Sequence, residues 1–111
     1  MATCTQIDAT RIATYTSDGW ITGLRYGRLV YVKAWVVLNS AANSTFKEHI
    51  IATGLPAAKG NTCFIGPVVV DEVVSNAMAE VNYKGEFIIS TKSISIASRK
   101  CSVGGIYMTA T

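Results

Sequence analysis

The longest patterned stretch of the chain, residues 28–38, alternates along its whole length. Successive side chains of a β-strand point to opposite faces of the sheet. One set of alternate positions is wholly apolar and suits a core: Val30, Val32, Ala34, Val36 and Leu38. The other set is also largely apolar but carries one lysine: Leu29, Tyr31, Lys33, Trp35 and Val37. Because a small domain has one core, this pattern predicts a long strand whose second face meets another copy of the chain, a ligand, or both.

Shorter alternating stretches predict further strands, and no stretch has the period of a helix. The predicted strands cover residues 11–16, 20–26, 28–38, 46–52, 62–70, 77–83, 86–91 and 103–109, with a short one at 94–96. Turn-forming residues lie between them, at 17–19, 27, 53–56 and 84–85. Pro67 cannot donate to a sheet, so we expect it at an edge or a bulge. About eight short strands at regular spacing predict an antiparallel β-sandwich or barrel, a class that includes the jelly roll.

The length of 111 residues fits a single domain, which we place at residues 15–111. Residues 1–14 are polar and weakly patterned and predict a lead-in, either the end of a preceding shaft or the point where a longer chain was cut. Half of the residues are apolar and only 15% are charged, against a typical charged fraction of about 25%. So few charges on a small domain predict that part of its surface is hidden in an oligomer.

The charge and the cysteines exclude several function classes. The net charge is +3, and the basic residues are scattered, with only Arg99 and Lys100 adjacent, which argues against a nucleic-acid partner. The three cysteines, Cys4, Cys63 and Cys101, are odd in number and widely spaced, so they predict core or edge residues made in a reducing compartment. The sequence shows no secretion signal and no apolar run of membrane-spanning length, so membrane insertion is not expected.

Five short motifs follow one another along the chain. They are Asp18-Gly19-Trp20, Arg25-Tyr26-Gly27-Arg28-Leu29-Val30-Tyr31-Val32, Thr53-Gly54-Leu55-Pro56, Tyr83-Lys84-Gly85-Glu86-Phe87-Ile88-Ile89 and Gly105-Ile106-Tyr107-Met108-Thr109. In their order and spacing they resemble the C-terminal head domains of bacteriophage tail fibres and baseplate receptor-binding proteins. The resemblance covers roughly residues 15–110.

The resemblance implies a small jelly-roll-like β-sandwich that forms a homotrimer at the tip of a fibre. It implies a protein of the virion tail, made in the bacterial cytoplasm, that adheres to a host cell-surface receptor, commonly a saccharide, without a cofactor. Other trimeric sandwiches, including the tumour necrosis factor-like and complement-type globular heads, remain open as alternatives.

Residues suited to catalysis are present, but no motif arranges them. His49, the only histidine, alternates with Lys47 and Ile51 and is predicted to lie at the surface or in an interface. No nucleophile elbow or glycine-rich oxyanion loop accompanies it. Nothing in the sequence pairs the carboxylates across a cleft or supports a metal site from Asp71, Glu72 and His49. We therefore predict no catalytic residue, no metal ion and no enzymatic activity.

Saccharide binding requires flat apolar rings beside planar polar groups, which Trp, Tyr and Arg provide. These residue types are densest in the hairpin predicted at 20–38. The predicted ligand-binding residues are Asp18, Trp20, Arg25, Tyr26, Arg28 and His49. The predicted oligomer interface consists of Leu29, Tyr31, Trp35, Val37, Tyr107 and Met108.

Several functions compete at this point. The first is a trimeric, non-enzymatic phage adhesin head, and the second is a structural trimerisation cap that binds nothing. A small hydrolase or lyase acting on a surface polymer is the third. A chain that stays monomeric would instead favour a stand-alone carbohydrate-binding module.

Overall fold

The computed structural model of the protein describes residues 3–111, and this part of the chain contains nine strands and no helix. The strands are β1 (Cys4–Asp8), β2 (Thr10–Arg11), β3 (Thr16–Tyr26), β4 (Leu29–Leu38), β5 (Glu48–Thr53), β6 (Thr62–Val70), β7 (Val73–Asn82), β8 (Phe87–Ser90) and β9 (Lys100–Met108). All of their pairings are antiparallel. The predicted all-β antiparallel sandwich is therefore confirmed, with nine strands in place of about eight.

The strands form one sheet that folds into two layers and nearly closes on itself. Their order is β1-β3-β4-β9-β6-β7-β8-β5-β2. The layer of β1, β3, β4 and β9 faces the layer of β6, β7, β8, β5 and β2. At one seam, β6 joins β9 only through Val69 and Val70. At the other seam, β1 and β2 belong to the same short segment of chain, so the molecule is a barrel-like sandwich.

That second seam is made by residues 4–11. β1 pairs with β3, and after Ala9 the chain continues as β2, which pairs with β5. The amide of Ala9 donates to the carbonyl of Ile21 at 3.0 Å, and the amide of Ile12 donates to the carbonyl of Ile51 at 2.9 Å. The part of the predicted lead-in that the structure describes thus contributes two strands to the sheet, while Met1 and Ala2 lie outside the described residues.

The alternation of residues 28–38 is confirmed, and it places the core. The even-numbered side chains of β4 are at most 2% exposed. They pack against the inward side chains of the second layer, which are also apolar and buried: Val68, Ala77, Ala79, Val81, Phe87 and Ile89. The odd-numbered side chains of β4 consequently form the outer face of the first layer.

The predicted strand at 11–16 and the predicted turn at 17–19 are wrong. Residues 13–15 form the turn, where the Thr16 hydroxyl donates to the carbonyl of Ile12 at 2.6 Å. β3 starts at Thr16, and its register shifts between Thr16 and Asp18 at a bulge. Gly19 has a φ of 129°, and a Cβ there would lie 2.4 Å from the carbonyl oxygen of Trp35. Gly19 therefore allows β3 and β4 to approach each other closely, and it does not lie in a turn between strands.

Two further predictions have opposite outcomes. The short strand at 94–96 is wrong, because residues 91–99 cross between the layers without regular structure. Ile96 is buried in that crossing and completes the core, whereas Ile94 is exposed. The expectation for Pro67 is confirmed, since the register of β6 and β7 is irregular on both sides of it.

Candidate functional site: an aromatic groove and an apolar end

The outer face of the first layer carries most of the predicted site residues. Register pairs β3 with β4 so that Trp20 lies opposite Trp35 and Leu24 lies opposite Tyr31. On the other side of β4, β9 contributes small residues, with Ser102 opposite Trp35 and Gly104 opposite Lys33. Large aromatic side chains on two strands therefore lie beside a strand that offers little bulk.

This arrangement produces a depression that we call the aromatic groove. Its first part, of about 400 Å³, is lined by Trp20, Tyr31, Lys33, Trp35, Val69, Ser102 and Gly104. Tyr31 leans across β9, because a Cβ at Gly104 would lie 3.2 Å from its hydroxyl oxygen. Trp20 is 45% exposed and Trp35 is half-buried. The groove thus combines two indole rings and a phenol with one ammonium group.

The second part of the groove, of about 780 Å³, shares Trp35, Val69 and Ser102 with the first and continues toward the β6–β7 turn. Asp71 and Glu72 form that turn, both with positive φ, as two-residue hairpin turns require. Asp71 accepts a hydrogen bond from the amide of Lys100 at 3.1 Å and lies 3.5 Å from the guanidinium of Arg99. Asp71 therefore fixes the turn, and Glu72 and Lys100 present the remaining charges of this part.

At the opposite end of the same face lies an apolar surface that we call the apolar end. It consists of Leu24, Tyr26, Leu29, Tyr31, Ile106 and Met108, which are 42–57% exposed. Register brings them together, with Tyr26 opposite Leu29 and Leu29 opposite Met108. Six half-exposed large side chains amount to on the order of 500 Å², which is near the upper limit for a soluble monomer and typical of a contact surface.

The predicted ligand-binding residues do not converge on one site. Trp20 lines the aromatic groove, and Tyr26 lies at the apolar end, about 20 Å away along β3 at 3.3 Å per residue. Asp18 is exposed beyond Trp20, and its carboxylate accepts a hydrogen bond from the Gly19 amide at 2.8 Å. The structure thus separates residues that the sequence placed together in one hairpin.

The two predicted arginines have different roles. Arg25 donates to the carbonyl of Gly27 at 3.0 Å, and its guanidinium also contacts the Thr109 hydroxyl and the carbonyl of Thr111. It therefore holds the end of the described chain against the β3–β4 turn. Arg28 is exposed in that turn, directly before Leu29 of the apolar end.

The prediction that His49 lies at the surface or in an interface is wrong. Its ring is completely buried between the layers and meets the ring of Tyr15 edge-on, with centroids 4.8 Å apart. Nδ1 lies 3.2 Å from the carbonyl of Ile89, which makes it the donor. Burial lowers the pKa of His49, and Lys47 adds to this effect. A side chain with no exposure cannot contact a ligand in the folded protein.

The predicted interface residues divide in the same way. Leu29, Tyr31 and Met108 lie at the apolar end, while Trp35 and Val37 are half-buried on the same face. Tyr107 is a correction, because it is 3% exposed and its hydroxyl donates to the carbonyl of Pro56 at 2.7 Å. Burial raises the pKa of this hydroxyl. Tyr107 pairs with the core residue Val30 and stabilises the interior.

Sequence reasoning missed the contribution of β9 and of the β6–β7 turn to the groove. The pairing of β9 with β4 brings Ser102, Gly104 and Lys100 to the groove. The pairing of β6 with β9 brings the turn that holds Glu72. Lys33 gave the one available signal, as the single charge on the outer face of β4.

Two observations concern other kinds of site. Among residues 3–111, no group of three or more His, Cys, Asp or Glu side chains is placed to hold a metal ion. The same residues include no helix long and apolar enough to cross a bilayer.

Comparisons with protein-family models, with curated proteins and with solved structures find no match for this chain.

Proposed function

We propose that this protein is a non-enzymatic adhesin head that binds a saccharide in the aromatic groove and forms homotrimers through the apolar end. One observation carries the proposal: a single outer sheet face holds both the groove and the apolar surface. The resemblance of the sequence motifs to phage tail-fibre heads supports the setting, which is the tail tip of a virion and a saccharide on the host cell surface.

The lining of the groove supports a saccharide as the ligand. The faces of sugar rings are apolar and pack on indole and phenol rings, while polar groups at the rim bind the hydroxyls. Trp20 and Trp35 supply the flat surface, and Lys33 and Ser102 supply a donor and a hydroxyl. The volumes of both parts of the groove, about 400 and 780 Å³, fall in the range of small-ligand sites.

The apolar end supports self-association. Burying this exposed apolar surface between chains removes it from water and so stabilises the assembly. Oligomers of soluble proteins usually have closed cyclic symmetry. A stable interface buries about 800 Å² on each partner, which exceeds the apolar end alone. We therefore expect association that depends on protein concentration.

Saccharide binding is tested by Trp20→Ala on an array of bacterial and mammalian glycans, followed by titration with the glycans that bind. Removal of an indole that packs on a sugar weakens binding roughly tenfold or more. Tyr83→Ala is the matched control, because Tyr83 is a similarly exposed aromatic residue in a turn of the other layer. Equal binding by wild type and Trp20→Ala would exclude the groove as the saccharide site.

Self-association is tested by light scattering coupled to size exclusion over a range of concentrations. We expect the wild-type mass to approach that of three chains and Leu29→Lys to shift it to one chain, since a buried unpaired ammonium is costly. Val73→Lys, at an apolar and exposed position outside the apolar end, is the control. A wild-type chain that remains monomeric at the highest concentration contradicts the trimer.

The structural trimerisation cap is the second candidate, because the apolar end supports it equally well. A cap has no use for an open groove lined by two tryptophans. One variant separates the two functions: Trp20→Ala is expected to weaken glycan binding roughly tenfold or more, while the oligomer mass stays unchanged.

A further inference from the structure

The second layer has a depression of its own, on the side of the sandwich opposite the aromatic groove. Its volume is about 250 Å³, and its lining includes Phe46, Glu48, Glu80, Ser90 and Lys92. These residues come from β5, β7, β8 and the loops that flank β5 and β8. No residue is shared with the aromatic groove.

A buried carboxylate lies in this depression. Glu80 is 6% exposed and lines the cavity. Within the described part of the chain, the Glu80 carboxylate has no ion pair or hydrogen bond, the one salt bridge being that of Arg99 with Asp71. Neighbouring residues enclose most of this side chain, but its carboxylate oxygens stay open to the cavity, because Nε2 of His49 is the one fully buried side-chain nitrogen or oxygen without a partner among residues 3–111. A hydrogen-bond donor that enters the cavity can therefore reach them.

Ser90 is a second buried polar side chain in the same cavity. It is 5% exposed, and no hydrogen bond joins its hydroxyl to another described residue. In the sheet Ser90 pairs with Glu48 of β5, and Glu80 of β7 pairs with Ile88, two residues before Ser90. Two carboxylates thus flank β8 from its two sides, with a hydroxyl between them.

Lys47 and Lys92 also line the cavity, but neither forms an ion pair with these carboxylates. The ammonium of Lys47 lies 5.6 Å from the centroid of the Tyr15 ring, so it is directed toward that ring. Lys92 is exposed at the rim, and its ammonium is more than the 4.0 Å of an ion pair from either carboxylate. The carboxylates are therefore able to bind a cation from outside the chain.

Phe46 supplies an aromatic wall. It is 75% exposed and has a φ of 50°, a conformation that bulky residues rarely adopt and that is frequent at functional sites. Its amide donates to the carbonyl of Lys92 at 2.9 Å, which fixes the loop at the cavity mouth. An aromatic ring beside carboxylates is a favourable environment for an ammonium group.

We propose that this depression is a second binding site, for a primary ammonium group carried on a sugar-sized polar ring. The carboxylates of Glu80 and Glu48 accept hydrogen bonds from the ammonium. The hydroxyl of Ser90 binds a neighbouring polar group of the ligand, and the ring of Phe46 contacts its apolar face. The site is independent of the saccharide groove on the other layer.

The first test needs no variant. The ¹⁵N-labelled chain is titrated with glucosamine, and with N-acetylglucosamine and glucose at the same concentration and ionic strength. These three sugars share a ring and differ in the ammonium group. We expect saturable shifts at the amides of Glu80, Ser90 and Thr91 with glucosamine alone. Equal shifts with all three sugars, or no shifts at these amides, overturn the proposal.

Variants then identify the group responsible. Glu80→Gln keeps the shape of the side chain and is expected to weaken glucosamine binding roughly tenfold, the effect of losing a charged hydrogen bond. Ser90→Ala is the second variant. Asp8→Asn, which changes an exposed carboxylate of β1 outside both depressions, is the control expected to bind as wild type does. If Lys92→Ala binds glucosamine and the wild-type chain does not, the ammonium of Lys92 occupies the cavity in the natural chain, and the proposal is overturned. Chemical-shift changes confined to the indole of Trp20 indicate binding in the aromatic groove. The titration therefore distinguishes a failure of the second site from a failure of the groove.

Discussion

The buried histidine predicts how the stability of this protein depends on pH. His49 is completely buried, and its Nε2 has no hydrogen-bond partner among residues 3–111. Protonation would place a charge on that nitrogen inside the core. Burial therefore lowers the pKa of His49 from 6.5, with a smaller contribution from Lys47, and the hydrogen bond to Ile89 opposes this only in part.

The sign of the effect follows from linkage. The pKa is lower in the folded than in the unfolded chain, so the unfolded chain binds more protons as the pH falls below about 6.5. The contribution of neutral His49 to the free energy of unfolding is fully present above about pH 7. It is lost progressively toward lower pH, by at most about 1.4 kcal/mol for each pH unit. Because the chain has one histidine, no other side chain has its ordinary pKa in this window.

Urea denaturation at several pH values between about 5 and 7.5, at one protein concentration, measures this loss. His49→Phe is the matched variant, since it keeps an aromatic ring against Tyr15 and cannot titrate. We expect the free energy of unfolding of wild type to fall by up to about 1 kcal/mol between about pH 6.5 and 5.5, and that of the variant to stay level. A level wild-type profile, or the same slope in both proteins, would refute the reasoning.

Two further predictions concern packing and thiol chemistry. Gly105→Ala is expected to cost about 1–3 kcal/mol of stability, because a Cβ there would lie 2.3 Å from a side-chain carbon and 2.6 Å from the carbonyl oxygen of Ile65. Gly66→Ala is the control, because a Cβ at Gly66 would lie 3.8 Å from the carbonyl oxygen of Gly104, an ordinary van der Waals distance. Equal melting curves for the two variants would contradict the clash. Cys101 is buried, and burial, with a smaller contribution from Asp71, raises its pKa to about 12. A thiol reagent at neutral pH should therefore label the exposed Cys4 and leave Cys101 unlabelled until urea unfolds the chain. Labelling of both thiols at equal rates in the native protein would contradict the burial.

Alternation along the chain predicts much of this fold, because the period of two in a strand depends on local geometry alone. The inward and outward faces of β4 agree with the sequence residue by residue. The same rule explains the error at Tyr107: adjacent residues of a strand point to opposite faces, so Tyr107 and Met108 cannot share one interface. The pairing of Tyr107 with Val30 shows which of the two faces the core.

The errors elsewhere arise where local patterns depend on distant partners. Lys47, His49 and Ile51 are alternate residues, so the charge of Lys47 indicated that His49 faces the surface. Lys47 lies outside the strand, however, because β5 starts at Glu48. A register shift between Ile50 and Ala52 then buries two consecutive residues. Ser17 and Gly19 carry turn chemistry, but the pairing of β3 with β4 converts it into a bulge.

The candidate sites were less predictable than the fold. The sequence identified Trp20 and the outer face of β4, but the other walls of the groove come from β9 and from the turn at Asp71. The cavity around Glu80 depends on three stretches of the chain, at 46–48, 80 and 90–92, that the second layer brings together. A sequence shows the residue types of such a site, whereas the pairing of distant strands determines which of them meet.

The pairing of β4 with β9 also determines when the protein can fold during synthesis. Leu29 pairs with Met108 and Val37 with Lys100, so the middle of the first layer is complete only after the last strand has left the ribosome. Folds dominated by such distant pairings form slowly, in milliseconds to seconds. Until then β4 exposes both of its apolar faces and an unpaired edge, which favours aggregation of the nascent chain. A lower expression temperature, which weakens hydrophobic association between nascent chains, should therefore raise the yield of folded protein.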